Sequence, residues 1–153
     1  MKTINLPLIN RSFLILLSFY FHSFLTLPVY AANRFVDNGD GTISDTKTGL
    51  MWVSKDNGVP INWPDAVEYC KNLRVGGYTD WRMPTIDELE GLYDKSKSGY
   101  LPECASSGKV YLTKLIHLTC WFPWASDRKS KGSATYFNFG TRARYRYHPG
   151  CPA

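Results

Sequence analysis

Apolar and polar positions change period several times along the chain, and each change marks an element. Phe35, Val36 and Ile43 flank the turn-forming run Asn38-Gly-Asp-Gly41, which predicts two short strands in a hairpin. Thr48-Gly-Leu-Met-Trp-Val53 supplies a third strand, with Leu50, Trp52 and Val53 available to a core. From residue 62 the period lengthens. Asn62 can cap a helix that runs through Trp63, Pro64 and Asp65 to about Leu73, because proline is tolerated in a first turn and Asp65 suits the helix dipole. Ala66, Cys70 and Leu73 share one face of it.

The densest local signal lies between Gly76 and Tyr93. Gly76 and Gly77 permit positive backbone angles, and Pro84 biases Met83 toward an extended conformation. Thr85 and Glu88 then form a capping box, with Pro84 and Leu89 at the positions of a hydrophobic staple. The second helix carries Ile86, Leu89, Leu92 and Tyr93 on one face and ends near Asp94. Arg82, beside Trp81 and Asp80, is expected to pair with a carboxylate and pack on an aromatic ring.

Beyond Tyr100 the helical signals fade. Val110-Tyr-Leu112 is a short apolar stretch, and Leu115 to Ala125 is the most aromatic piece of the chain, with Pro123 arguing for a sheet edge or a bulge. Trp121, Phe122 and Trp124 suit either a half-buried core, the commoner fate of such residues, or an exposed platform for sugar rings. Ser133 to Phe139 alternates like a strand, and Thr141-Arg-Ala-Arg-Tyr-Arg-Tyr147 follows Gly140 as its partner. A period of two puts Arg142, Arg144 and Arg146 on one face of that partner and Ala143, Tyr145 and Tyr147 on the other.

Charge and cysteine narrow the setting. Lys2 and Arg11 precede an uncharged, mostly apolar run from Ser12 to Leu27, and Val29 and Ala31 occupy the positions a signal peptidase reads, so residues 1–31 are expected to be a secretory signal peptide. The run is shorter than the roughly 20 residues of a spanning helix, so no permanent membrane anchor is expected. Residues 32–153 then form one domain, exported to the periplasm or the outside of the cell. Its four cysteines, Cys70, Cys104, Cys120 and Cys151, favour two disulfides with three pairings open. None of them has the close spacing of a zinc site, and the acids around Gly41 do not fit a calcium loop, so neither a metal nor another cofactor is expected.

Residues 104–153 carry eight basic side chains and only Asp127 as an acid. Arg142, Arg144 and Arg146, extended by Arg128, Lys129 and Lys131, suit the negative groups of a flexible polyanion; a solvated hairpin face that discourages edge aggregation is the alternative. A nucleic acid is not the expected polyanion, because a basic face alone specifies nothing about bases. The residues offer no nucleotide loop, no metal-spaced histidines and no recognisable triad, so catalysis is not expected.

Arg34 to Trp52, Trp63-Pro-Asp-Ala-Val-Glu-Tyr-Cys70 and Gly76 to Tyr93 together resemble the bacterial Lcl C-terminal domain family, with Trp81-Arg-Met-Pro-Thr85 the most specific part. Cys120-Trp-Phe-Pro-Trp-Ala-Ser126 and Tyr136-Phe-Asn-Phe139 resemble its later strands. The resemblance implies an α+β, C-type-lectin-like fold with two helices, a mixed irregular antiparallel sheet, and Cys70 bonded to Cys151 and Cys104 to Cys120. It further implies a surface-attachment role, since the family's namesake is an adhesin for sulfated polysaccharide. No catalytic residue carries over, and the calcium-dependent sugar motifs of lectins are absent. The chain ends at Pro149-Gly-Cys-Pro-Ala153, where the family has one more short strand, which is therefore expected to be missing. The expected function is a non-catalytic binding module for an anionic polysaccharide or envelope polymer; the alternative is an envelope assembly protein that binds another protein through its aromatic segment.

Overall fold

A computed structural model describes residues 33–128 and 133–147. The expected signal peptide, Lys129, Lys131, His148 and Cys151 lie outside the described residues. The elements run β1 (Phe35–Asp37), β2 (Thr42–Asp45), β3 (Leu50–Val53), α1 (Trp63–Asn72), α2 (Ile86–Leu92), β4 (Trp124–Ala125), β5 (Ala134–Asn138) and β6 (Ala143–Tyr147). They form an α+β domain with two three-stranded antiparallel sheets, ordered β1-β2-β3 and β4-β5-β6.

The first sheet is tied down by its turn chemistry. Asp40 accepts hydrogen bonds from the Thr42 N–H and hydroxyl, and Asp37 accepts from Gly39 N–H. The acids of this hairpin are thus engaged with their own backbone, as turn residues commonly are. At its far end Arg34 grips the fully buried Asp45 through two contacts of 2.9 and 2.7 Å and holds that carboxyl below the usual carboxylate range. Gly76 approaches this sheet so closely that a Cβ there would meet Thr42 at 2.6 Å. Its positive φ of 61° makes glycine doubly suited to the position.

The two helices begin as their cap residues predict and differ in how they pack. Asn62 caps α1 by accepting from Asp65 N–H, yet Ala66 is the only residue of that helix that is fully buried. Thr85 and Glu88 close a complete capping box on α2, and Ile86, Leu89 and Leu92 are all buried. A further acceptor reaches α2 from the segment after β4, where Asp127 takes the Ile86 N–H. The core therefore gathers between α2 and β5, joining Ile43, Leu112 and Ile116 to Phe137 and Phe139.

Cys104 and Cys120 form a disulfide, the inner of the two pairs implied by the family resemblance. It fastens the long irregular stretch between α2 and β4, where Tyr100 bridges Val110 and its hydroxyl accepts from Leu118 N–H. The irregular stretch also meets the first sheet's exit through Asp56, which accepts from both the N–H and the hydroxyl of Thr119.

Arg82 pairs with Glu88 through two contacts of 2.8 and 2.6 Å, while Glu88 also accepts from Thr85 N–H. The expected carboxylate partner is thus Glu88 and not the adjacent Asp80. The guanidinium and the helix cap pull the Glu88 carboxyl from 4.5 down to about 2. A depressed acid stabilises the fold fully above its unfolded value and loses that contribution as pH falls through the folded one. Arg82→Ala should therefore cost about 1 kcal/mol near neutral pH, a deficit that shrinks as the pH is lowered toward about 2. Thermal melts across that range check it; a deficit independent of pH would contradict the assignment.

Candidate functional site

The second sheet has two chemically different faces, and its register explains both. Residues directly opposite one another across a sheet point to the same side. Phe137 stands opposite Arg144 and Thr135 opposite Arg146, so these four share the face turned toward α2. Tyr136 stands opposite both Trp124 and Tyr145, and Ala134 stands opposite Tyr147, so these five share the other face.

On the α2 side the arginines meet acids. Arg144 contacts both Glu90 and Asp87, the latter at 2.7 Å, and Arg142 contacts Glu90 at 3.1 Å. The Arg144 guanidinium holds the Glu90 carboxyl below its ordinary value, with Arg142 assisting. Arg142 is not part of the strand: it lies in the hairpin turn at a positive φ of 61°, an uncommon conformation for a residue with a Cβ. Asn138 shapes that turn by accepting from Gly140 and Thr141 N–H. The Arg146 side chain makes no hydrogen bond or ion pair among the described residues. Arg128 stands at the other end of the sheet, its guanidinium 4.4 Å from the Trp63 ring centre and its Nε donating to the Ser133 carbonyl.

The opposite face is a continuous run of rings. Phe122 meets Tyr136 edge-on at 5.7 Å, and Trp124 meets it edge-on at 5.6 Å. Tyr145 stacks on Tyr136 at 5.2 Å with the ring planes only 13° apart. Trp124 also reaches Tyr147 at 6.0 Å, a contact that passes over the small side chain of Ala134. Phe122, Tyr145 and Tyr147 remain 46%, 42% and 39% exposed. The ladder is rigid at its centre because Trp124 donates its indole N–H to the Ile61 carbonyl and Trp63 donates to the carbonyl of Ala125. The hydroxyls of Tyr136, Tyr145 and Tyr147 make no hydrogen bond among the described residues.

The aromatic segment read as one unit from its sequence is therefore divided. Trp124 and Phe122 belong to the ladder, whereas Trp121 is half-buried against the core and closes over Gly108, where an added Cβ would sit 2.9 Å from its ring. Tyr136, Tyr145 and Tyr147 were not among the candidate binding residues. Their signal was the period of two, which set Tyr145 and Tyr147 on the side opposite the arginines. Cys70 is half-buried on α1 with no disulfide to another described residue, and burial pushes its thiol upward.

Glu90→Ala should release Arg142 from α2 and leave Arg144 held there by Asp87 alone. Amide exchange in β6 is then expected to rise by about fivefold while β5 stays protected. Equal exchange in parent and variant would show that the two arginines do not hold the edge strand.

No curated protein and no solved structure matches the chain. Residues 41–150 match the model of the Lcl C-terminal domain, a span that takes in both helices, five of the six strands in full and most of the expected domain. The chain belongs to the Lcl C-terminal domain family.

Proposed function

We propose that this domain is an exported, non-catalytic binding module of C-type-lectin-like fold, acting in the periplasm or outside the cell on an acidic glycan or envelope polymer. The observation that carries the reading is the exposed ladder of Phe122, Tyr136, Tyr145, Trp124 and Tyr147 on one face of the second sheet. Flat rings with unengaged hydroxyls suit the apolar faces and hydroxyl edges of sugars, since Tyr and Trp present an apolar body with a polar tip. Contiguous exposed apolar surface of this kind commonly marks a binding site.

The charge then decides among glycans. Arg142 and Arg144 are already engaged by Glu90 and Asp87, which lowers their capacity to hold a polyanion. Arg146 has no side-chain partner among the described residues but points to the α2 side, away from the rings, so Arg128, beside Trp63, is the better placed cation. In this reading stacking supplies most of the affinity, and Arg128 selects acidic sugars by charge-assisted hydrogen bonds. The competing reading, an envelope assembly partner, draws on Phe122, whose exposed ring has no polar tip and suits a protein surface.

Retention of the oxidised domain on neutral and acidic glycans at physiological salt separates these readings. Tyr145→Ala should weaken binding to acidic glycans by up to about tenfold, consistent with the loss of one aromatic contact. Arg128→Ser should reduce the preference for acidic over neutral sugars, whereas Arg146→Ser, on the opposite face, should leave it in place. Saturable binding to an envelope protein, lost in Phe122→Ser and indifferent to salt, would replace the glycan reading.

A further inference from the structure

α1 and β3 border a cavity of about 720 Å³. Its walls reach Leu112 and Phe139, two fully buried members of the core, and its charged lining residues are Asp56, Asp80, Arg82 and Glu88. Sites for small molecules fall between roughly 300 and 1,000 Å³ and combine apolar walls with a few polar groups. The space exists because α1 brings only one residue fully into the core, while β3 is half-buried along its whole length.

The charged groups of the lining are not equivalent. Arg82 is committed to Glu88, and Asp56 is committed to Thr119. Asp80 makes no hydrogen bond or ion pair among the described residues. It sits between Tyr78 and Trp81 in sequence, and those two rings meet edge to face at 6.3 Å on the same cavity wall. Three carboxylates border this cavity against the one guanidinium of Arg82, so its lining is acidic in a chain whose net charge is +5.

We propose that the cavity binds an amphiphile with an apolar chain and a single cationic head, a quaternary ammonium or a protonated amine. The chain enters toward Leu112 and Phe139, and the head stays at Asp80 against the Tyr78 and Trp81 rings. A cation over aromatic faces is attracted by the ring quadrupole, and a nearby carboxylate reinforces it. An anionic head meets Asp56, Asp80 and Glu88 and is repelled. The site differs in charge from the aromatic sheet face, although Phe122 and Trp124 border both.

The test titrates the full oxidised domain with octyltrimethylammonium, octyl sulfate and octanol, each below its aggregation point, by calorimetry and by the fluorescence of Trp52 and Trp81 at the cavity wall. The expected result is saturable one-to-one binding of the cation, about tenfold tighter than the sulfate. Asp80→Asn, at an exposed position, should abolish that preference while keeping the parent's melting temperature and its affinity for octanol. Absence of saturable binding, equal affinity for cation and anion, or a preference that survives Asp80→Asn would overturn the proposal. Binding seen only in a chain shortened after Tyr147 would assign the space to the chain's own end and overturn it as well.

Discussion

Phe137 and Phe139 lie fully buried with their ring centres 4.9 Å apart, and the packing of α2 against them sets the order of the domain. A strand alternates its side chains, so committing Phe137 to α2 commits Tyr136 to the opposite side. The same register assigns the neighbours: Arg144 lies beside Phe137 over the helix, and Tyr145 lies beside Tyr136 away from it. The acids of α2 then become the arginines' partners, and the rings are left to one another. One burial decision thus separates a charge-paired face from an aromatic one.

α2 can play this role because its first turn is satisfied from several directions. Thr85 and Glu88 cap it locally, Arg82 clamps Glu88, and Asp127 arrives from the segment after β4. Tyr93, at the other end, meets both Phe137 and Tyr111 edge-on. α1 has a good cap but little apolar surface directed inward, and the space beside it stays open. Helix stability in proteins comes mainly from such tertiary packing, so the two helices differ in purpose despite similar local signals.

Local chemistry was legible from the residues alone. The capping box at Thr85, the cap at Asn62, the turn at Gly76 and the strand periods of β5 and β6 all appear where the sequence places them. Contacts distant in sequence were not. Nothing near Arg144 announces Glu90, which stands 54 residues away, and nothing near Arg142 announces that it would leave the strand for a left-handed turn. The aromatic ladder was missed for a related reason: it joins Phe122 and β4 to the β5–β6 hairpin, two segments that nothing in the sequence pairs. The Cys104–Cys120 bond came from family resemblance and not from spacing.

The measurement that bears most directly on this account compares the thermal stability of Phe137→Ala with that of Tyr136→Ala, neighbours on one strand with opposite directions. Loss of a buried phenylalanine should cost about 3–5 kcal/mol, whereas Tyr136, half-exposed among other rings, should cost no more than about 1–2 kcal/mol. Equal losses, or a larger loss at Tyr136, would show that the sheet does not divide into a core face and a free aromatic face.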